Sequence, residues 1–325
     1  MIDYILSTGK KVLNGGVITR SEALNLSQAT GADIFLLAGL ASKIREQYTG
    51  NRIDLCSIIN AKSGNCSEDC KFCSQSVFHT CAIDTYPLRD EEKILEFAHS
   101  VQQSGTRRFA IVTSGRGVTG HDPDLISILR IIRRLSQETN LQLCASLGEL
   151  TEEAALMLRE AGVSRYHHNL ETSEVFFPHI VTTHTYQDRI RTVHCARTAG
   201  MEICCGGIIG LGESMEQRID LAYALRDLNV DSVPINMFHA VPGTPLEDEP
   251  RLSPLEIIRT IALFRFILPR TGIRSAGGRE KLLRDLQSIG LMAGLNGMMV
   301  GNYLTTDGRG IAEDLDMLKD MGYSW

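Results

Sequence analysis

Short apolar runs alternate with longer amphipathic stretches along most of the chain. The runs at 54–60, 108–113, 142–147, 165–170, 202–209, 232–238, 272–275 and 298–301 are about strand length and mostly apolar. Between them, the stretches at 90–104, 123–138, 151–161, 187–199, 215–228 and 254–267 repeat apolar residues at helical spacing. Strand then helix, repeated about eight times, predicts a parallel sheet. Over 325 residues the pattern fits a closed α/β fold, a (β/α)8 barrel of the TIM type, better than an open sheet. Local punctuation agrees. Thr19 and Glu22 have the spacing of a capping box. Asp122-Pro123 and Ser253-Pro254 put proline at helix entrances. Gly105, Gly162 and Gly200 each follow an amphipathic run, where a helix-ending glycine belongs. Residues 1–50 precede the first strand and read as two or three helices, a cap or dimer-contact segment. Residues 51–325 are then the barrel with its tail.

Composition narrows the function classes. With 33 Lys+Arg against 39 Asp+Glu and no basic run, nucleic acid is not an expected partner. No eighteen-residue apolar stretch predicts a membrane span. The first residues, Met1 to Leu6, lack the charged start of a signal peptide, which predicts a cytoplasmic protein. Nine cysteines in such a chain argue for reduced thiols, metal or catalysis and against a disulfide framework.

Three of those cysteines, Cys66, Cys70 and Cys73, form a C-x-x-x-C-x-x-C triplet directly after the first strand. Three thiolates so spaced on a loop suit three corners of a cubane iron–sulfur cluster, leaving a fourth iron free to bind a small molecule. The competing readings are a zinc site or three unrelated buried thiols. Structural zinc wants four tetrahedral ligands, usually with paired C-x-x-C spacing, and the neighbourhood supplies only His79 and Cys81. In such barrels the chemistry sits at the C-terminal ends of the strands. Cys144, Asn169, Cys204 and Asn236 all fall on later candidate strands, a recurrence that packing alone does not explain.

The triplet, with Phe72 just before its third cysteine, resembles the radical S-adenosylmethionine (SAM) superfamily. From Ile53 to about Leu304 the chain is more closely similar to the biotin synthase family within it. The stretches that carry this are Asn60-Ala61-Lys62-Ser63-Gly64, Tyr166-His167-His168-Asn169-Leu170-Glu171-Thr172-Ser173, Thr182-Thr183-His184-Thr185-Tyr186, and the glycine-rich 206–213 segment. Val233-Pro234-Ile235-Asn236, Pro242-Gly243-Thr244-Pro245-Leu246 and Arg274-Ser275-Ala276-Gly277-Gly278-Arg279-Glu280 complete the set, in order. The resemblance implies conversion of dethiobiotin to biotin. In that chemistry a [4Fe–4S] cluster with one open iron cleaves SAM to methionine and a 5′-deoxyadenosyl radical. The radical removes hydrogen from saturated carbon, and an auxiliary iron–sulfur cluster donates sulfide.

The same resemblance implies residue roles. Cys66, Cys70 and Cys73 hold the SAM cluster. Phe72 and Ile208 lie on the adenine. Asn169, Glu171 and Arg189 contact SAM, with Glu171 where the family often has Asp; both acids accept ribose hydroxyl hydrogens. Asn236, Asn169 and His167 are substrate positions, and an amide offers both the donor and the acceptor that a ureido ring needs. His167 stands where the family often has Asn, as a ligand contact or a satisfied core histidine. Reduced flavodoxin or ferredoxin is the implied electron donor, and a homodimer the implied assembly.

The chain departs from the family at the auxiliary site, held in well-known members by three cysteines and one arginine. Cys144, Cys204 and Arg274 match three of these positions, but the fourth falls on Ala110, whose methyl cannot bind iron. The expectation is a rebuilt site using Cys81, Cys144, Cys204 and Cys205, either [2Fe–2S] or a larger four-iron cluster, with Arg274 as a nearby charge. Cys56 and Cys195 read as small buried hydrophobes. A related radical SAM enzyme that does not insert sulfur, and a non-catalytic iron-binding protein, are the rival functions.

Overall fold

In the computed structural model, which describes residues 1–306 and 308–325, the barrel forms. The strands are β1 (Asp54–Lys62), β2 (Arg108–Thr113), β3 (Gly117–Val118), β4 (Gln142–Ser146), β5 (Glu149–Leu150), β6 (Arg165–His167), β7 (Glu202–Cys204), β8 (Gly207–Ile209), β9 (Ser232–Met237), β10 (Gly272–Ser275) and β11 (Gly297–Met299). The ring runs β1-β2-β4-β6-β7-β9-β10-β11 and back to β1, every pairing parallel. β8 continues β7 beyond a break at Cys205 and Gly206 and pairs with β9. The two-residue strands β3 and β5 pair only with each other.

The helices lie where the apolar periodicity places them: Glu91–Gln103, Pro123–Glu138, Glu152–Ala161, Tyr186–Thr198, Met215–Asp227 and Pro254–Ile267. Asp122 accepts from the Asp124 amide and Ser253 from that of Glu256, so both proline entrances are capped. Pro254–Ile267 is buried along nearly its whole length, because the N-terminal helix Ala32–Thr49 covers the side that the barrel does not. A helix apolar all round needs such a two-sided burial.

Residues 1–50 form three helices, Ile2–Leu13, Arg20–Leu26 and Ala32–Thr49, that pack on the outside of the barrel. Thr19 and Glu22 make the capping box. Arg20 bridges to Glu216 and Asp220, and the Tyr223 hydroxyl donates to the Ile18 carbonyl at 2.9 Å. The tail adds helices Arg279–Leu283, Gln287–Met292 and Ile311–Asp320, then returns to the start of β1, where the Ile53 amide donates to the Ser324 carbonyl at 2.8 Å. Among the described residues no helix is long and apolar enough to cross a membrane.

Two strands are shorter than their apolar runs. β6 stops at His167 because the chain bends into a looser alignment with the 204–208 segment. There His168 N donates to Cys204 O and Leu170 N to Gly206 O, and Glu171 takes the left-handed φ of 68°. The run at 202–209 splits because Gly206 and Gly207 press on neighbouring backbone. A Cβ on Gly206 would lie 2.0 Å from the Pro234 carbonyl oxygen, and one on Gly207 2.4 Å from that of Glu171. The irregularity that shortens both strands is what folds backbone and side chains over the barrel mouth.

Candidate active site

Period-two alternation sorts the strand side chains into layers inside the barrel. The lowest layer is charged. Asp54, Arg108, Arg165 and Glu202 each open their strand, and Arg274 reaches down to join them. Arg274 donates to Asp54 at 2.6 Å and Arg108 to Asp54 at 3.1 Å, while Arg165 pairs with Glu202 at 2.7 Å. Three arginines against two carboxylates leave this floor one positive charge in excess.

Above the floor sits a layer of thiols. Cys144 and Cys204 face the interior with Arg274, as the sequence implies, and Cys56 joins them. Arg274 is anchored by Asp54 and by Ser232 Oγ at 3.0 Å, and it hydrogen-bonds the Cys56 sulfur. His167 hydrogen-bonds Cys204, its register partner on the next strand. Burial pushes the Cys204 thiol up, but His167 and the arginines outweigh it and hold it below the ordinary thiol value. Ala110 lies in the same wall, in register with Cys144 on one side and Ile58 on the other.

Two expected members of that layer lie elsewhere. Cys81 is half-exposed in a loop against Gly243 and Glu247, on the side of Cys73. Cys205 is fully buried but turned away, beside the Leu170 backbone, Glu171 and Arg189. Alternation already points Cys205 opposite to Cys204, and the glycine break beyond it does not reverse that direction. Cys195 stays half-buried on the helix Tyr186–Thr198, away from both layers. The reading of Cys56 as a plain core thiol missed a visible signal. It shares its strand face with Asp54, and a carboxylate on a central strand must face a polar interior.

The cysteine triplet occupies the loop after β1. Cys66 N donates to Gln75 O, Val77 N to Cys66 O, and Cys73 N to Cys70 O, each at 2.9 Å, which folds the loop back on itself. A second clamp comes from 182–184. Glu68, buried, accepts from Thr183 Oγ1 at 2.7 Å and pairs with His184 Nδ1 at 2.6 Å. Burial pushes the Glu68 carboxyl up, yet these bonds bring it below its ordinary value. Asp69 accepts from the amides of Thr182 and Thr183 and is held down to about 2 despite its partial burial. The notebooked likeness of the Thr182–Tyr186 stretch therefore has a physical basis: it grips the loop.

Three thiols, Cys66, Cys70 and Cys73, lie close enough for their charges to interact. No three His, Cys, Asp or Glu side chains among the described residues converge on a point that would hold a single metal ion. The triplet is thus spread wider than a tetrahedral zinc site needs, as the corners of a cubane would require. Burial pushes Cys73 up to about 11, so metal binding must displace protons.

Between loop and thiol layer lie the SAM candidates. Asn169 Nδ2 donates to Glu171 at 3.2 Å, and Asn169 Oδ1 accepts from Gly206 N at 3.1 Å. Arg189, from the helix Tyr186–Thr198, donates to the Asn169 carbonyl at 2.9 Å and sits 3.5 Å from Glu171. All three side chains are buried, and Arg189 Nε has no partner. Ile208 and Asn236 face each other across β8 and β9. Asn236 donates to Gly207 O at 3.3 Å and accepts from Gly277 N at 3.0 Å. Phe72 is partly buried against the core. Thiol loop, polar cluster and thiol layer therefore succeed one another down one closed cylinder.

The comparisons agree with that arrangement. The Radical SAM superfamily profile matches residues 61–225, and that of the Biotin and Thiamin Synthesis associated domain matches 234–324. The biotin synthase of Carboxydothermus hydrogenoformans is 56% identical over 322 residues, 99% of either chain. This chain belongs to the biotin synthase family. The biotin synthase of Clostridium acetobutylicum is also 56% identical, over 98% of this chain and 97% of its own. Among solved structures, a methylornithine synthase superposes with TM-score 0.84 at 22% identity, covering 98% of this chain and 96% of its own. The FeFe-hydrogenase maturase HydG of Carboxydothermus hydrogenoformans gives 0.83 at 19% identity, over 99% and 79%. Those two likenesses establish the radical SAM barrel alone. Family membership also removes the non-catalytic iron-binding reading: the chain is a radical SAM enzyme.

Proposed function

We propose that the chain converts dethiobiotin to biotin by radical sulfur insertion within the barrel mouth. The observation that carries this is the stacking of two thiol sets in one cylinder, separated by the Asn169, Glu171 and Arg189 cluster. When bound, the [4Fe–4S] cluster supplies the electron that cleaves SAM to a 5′-deoxyadenosyl radical, and an auxiliary iron–sulfur cluster supplies sulfide.

The chain's own residues supply the rest. Cys66, Cys70 and Cys73 hold three irons and leave one for SAM. Glu171 and Asn169 offer acceptors and a donor to ribose hydroxyls, and the unpartnered Arg189 Nε remains available to a carboxylate. Phe72 and Ile208 flank the adenine. Asn236 keeps one amide hydrogen and one carbonyl lone pair free for the ureido ring. His167 is spent on Cys204, which favours its role as a thiol-positioning group over a direct substrate contact. The closed barrel wall excludes water from a radical that would abstract hydrogen from any nearby donor. The excess cation of the floor suits an anionic auxiliary cluster, [2Fe–2S] or a four-iron form, above it. Reduced flavodoxin or ferredoxin as donor, a homodimer and a reducing cytoplasm complete the reading, on the strength of the family likeness.

The test is anaerobic turnover with dethiobiotin, SAM and a strong reductant, with Mössbauer spectra before and after. Biotin together with a changed auxiliary iron signal is expected. Deoxyadenosine without biotin would overturn the reading in favour of a radical SAM enzyme that does not insert sulfur.

A further inference from the structure

Ala110 leaves the auxiliary site one thiol short, and the interior wall supplies another candidate beside it. β1 and β2 are neighbours, with Ile58 in register with Ala110 and Cys56 with Arg108. Side chains two apart on a strand share a face. Cys56 therefore lies on the interior face of the adjoining strand, one step below the residue opposite Ala110. Its surroundings are those of the cluster layer. Cys56 interacts with Cys204 and with Arg274, Cys144 interacts with both Cys56 and Cys204, and Arg274 hydrogen-bonds the Cys56 sulfur. Neither Cys81 nor Cys205 has Cys144, Cys56 or Arg274 as a neighbour of this kind. The small Ala110 side chain leaves room between Cys56 and Cys144, where a larger residue would fill the wall.

We propose that Cys56 is the thiolate that replaces the missing ligand at Ala110, so that Cys56, Cys144 and Cys204 hold the auxiliary cluster beside Arg274. The inference rests on an auxiliary cluster being present, as the proposed function requires. The ligand has moved one strand around the barrel, from β2 to β1, while staying in the same layer. Arg274 then does two things at once. It neutralises a thiolate on β1, and through Asp54 and Ser232 it fixes the height at which the cluster sits.

The test separates the two claims. Substituting Cys66→Ala, Cys70→Ala and Cys73→Ala together removes the SAM cluster, and anaerobic reconstitution with ferrous iron and sulfide then reports the auxiliary site alone. Absence of residual iron in that parent would defeat the auxiliary-cluster reading itself. With residual iron present, adding Cys56→Ala should lower iron and labile sulfide about tenfold, the scale of losing a tight metal contact. Cys81→Ala, Cys205→Ala and Cys195→Ala in the same parent should leave both within twofold. A Cys56→Ala, Ala110→Cys double change should return the iron, with the same charge-transfer absorption, because it puts the thiol back on β2. Circular dichroism confirms that each variant is folded. Residual iron unchanged by Cys56→Ala overturns the proposal. So does a loss that Ala110→Cys fails to restore, which would make Cys56 a packing residue only.

Discussion

The two thiol sets differ in how they are built. The mouth set lies within eight consecutive residues, 66–73, and its geometry is fixed by a loop that folds on its own amides. The interior set is assembled from β1, β4 and β7 with an arginine from β10, more than two hundred residues from end to end. A local site is written in its spacing and tolerates little change in it. A site spread over several strands can exchange one strand's contribution for a neighbour's, provided that the side chain stays in the same layer. Ala110 and Cys56 illustrate that freedom.

Three variants sharpen the contrast. The largest effect is expected at the mouth. Cys70→Ala should abolish deoxyadenosine formation and remove about four irons per chain, since no nearby thiol occupies a third corner. Iron analysis and product chromatography check both. Retained SAM cleavage would mean that another residue, Cys81 being nearest, substitutes there too, and the two sites would no longer differ in kind.

The interior should respond through stability. Asp54→Ala removes the carboxylate shared by Arg274, Arg108 and Arg165. The expected cost is roughly 3 kcal/mol, the low end for leaving buried charge unpaired, because Asp54 keeps a third of its side chain exposed. Denaturant unfolding measures it, and an unchanged midpoint would show that the floor is bonded well enough without Asp54. The clamp on the mouth loop predicts the smallest change. Asp69 is held at about 2, below its ordinary 3.8, by Thr182 and Thr183. A lowered carboxyl stabilises fully above about 3.8 and loses that contribution as pH falls through about 2. Asp69→Asn should therefore melt lower near neutral pH but converge with the parent in acid, a comparison that thermal melts across pH 2–6 decide.

Much of this was legible before any coordinates. The strands and helices followed from apolar periodicity, because each buries one face against a common core. The charged residues opening β1, β2, β6 and β7 could also have been read as a polar floor, since a central strand has nowhere else to put them. What spacing did not give was which side chains meet across the barrel. Cys81 is the cysteine next in sequence to the triplet, yet its loop turns toward Gly243. Cys205 adjoins Cys204 in sequence, yet alternation turns it outward.

The sequence by itself determined the repeating strand–helix unit, the iron-binding loop and the family, because each rests on residues close together in the chain. The tertiary structure alone decided which thiols share the interior. Closure of the ring sets the height of every strand against its neighbours, and that relative height brings Cys56 level with Cys144, Cys204 and Arg274.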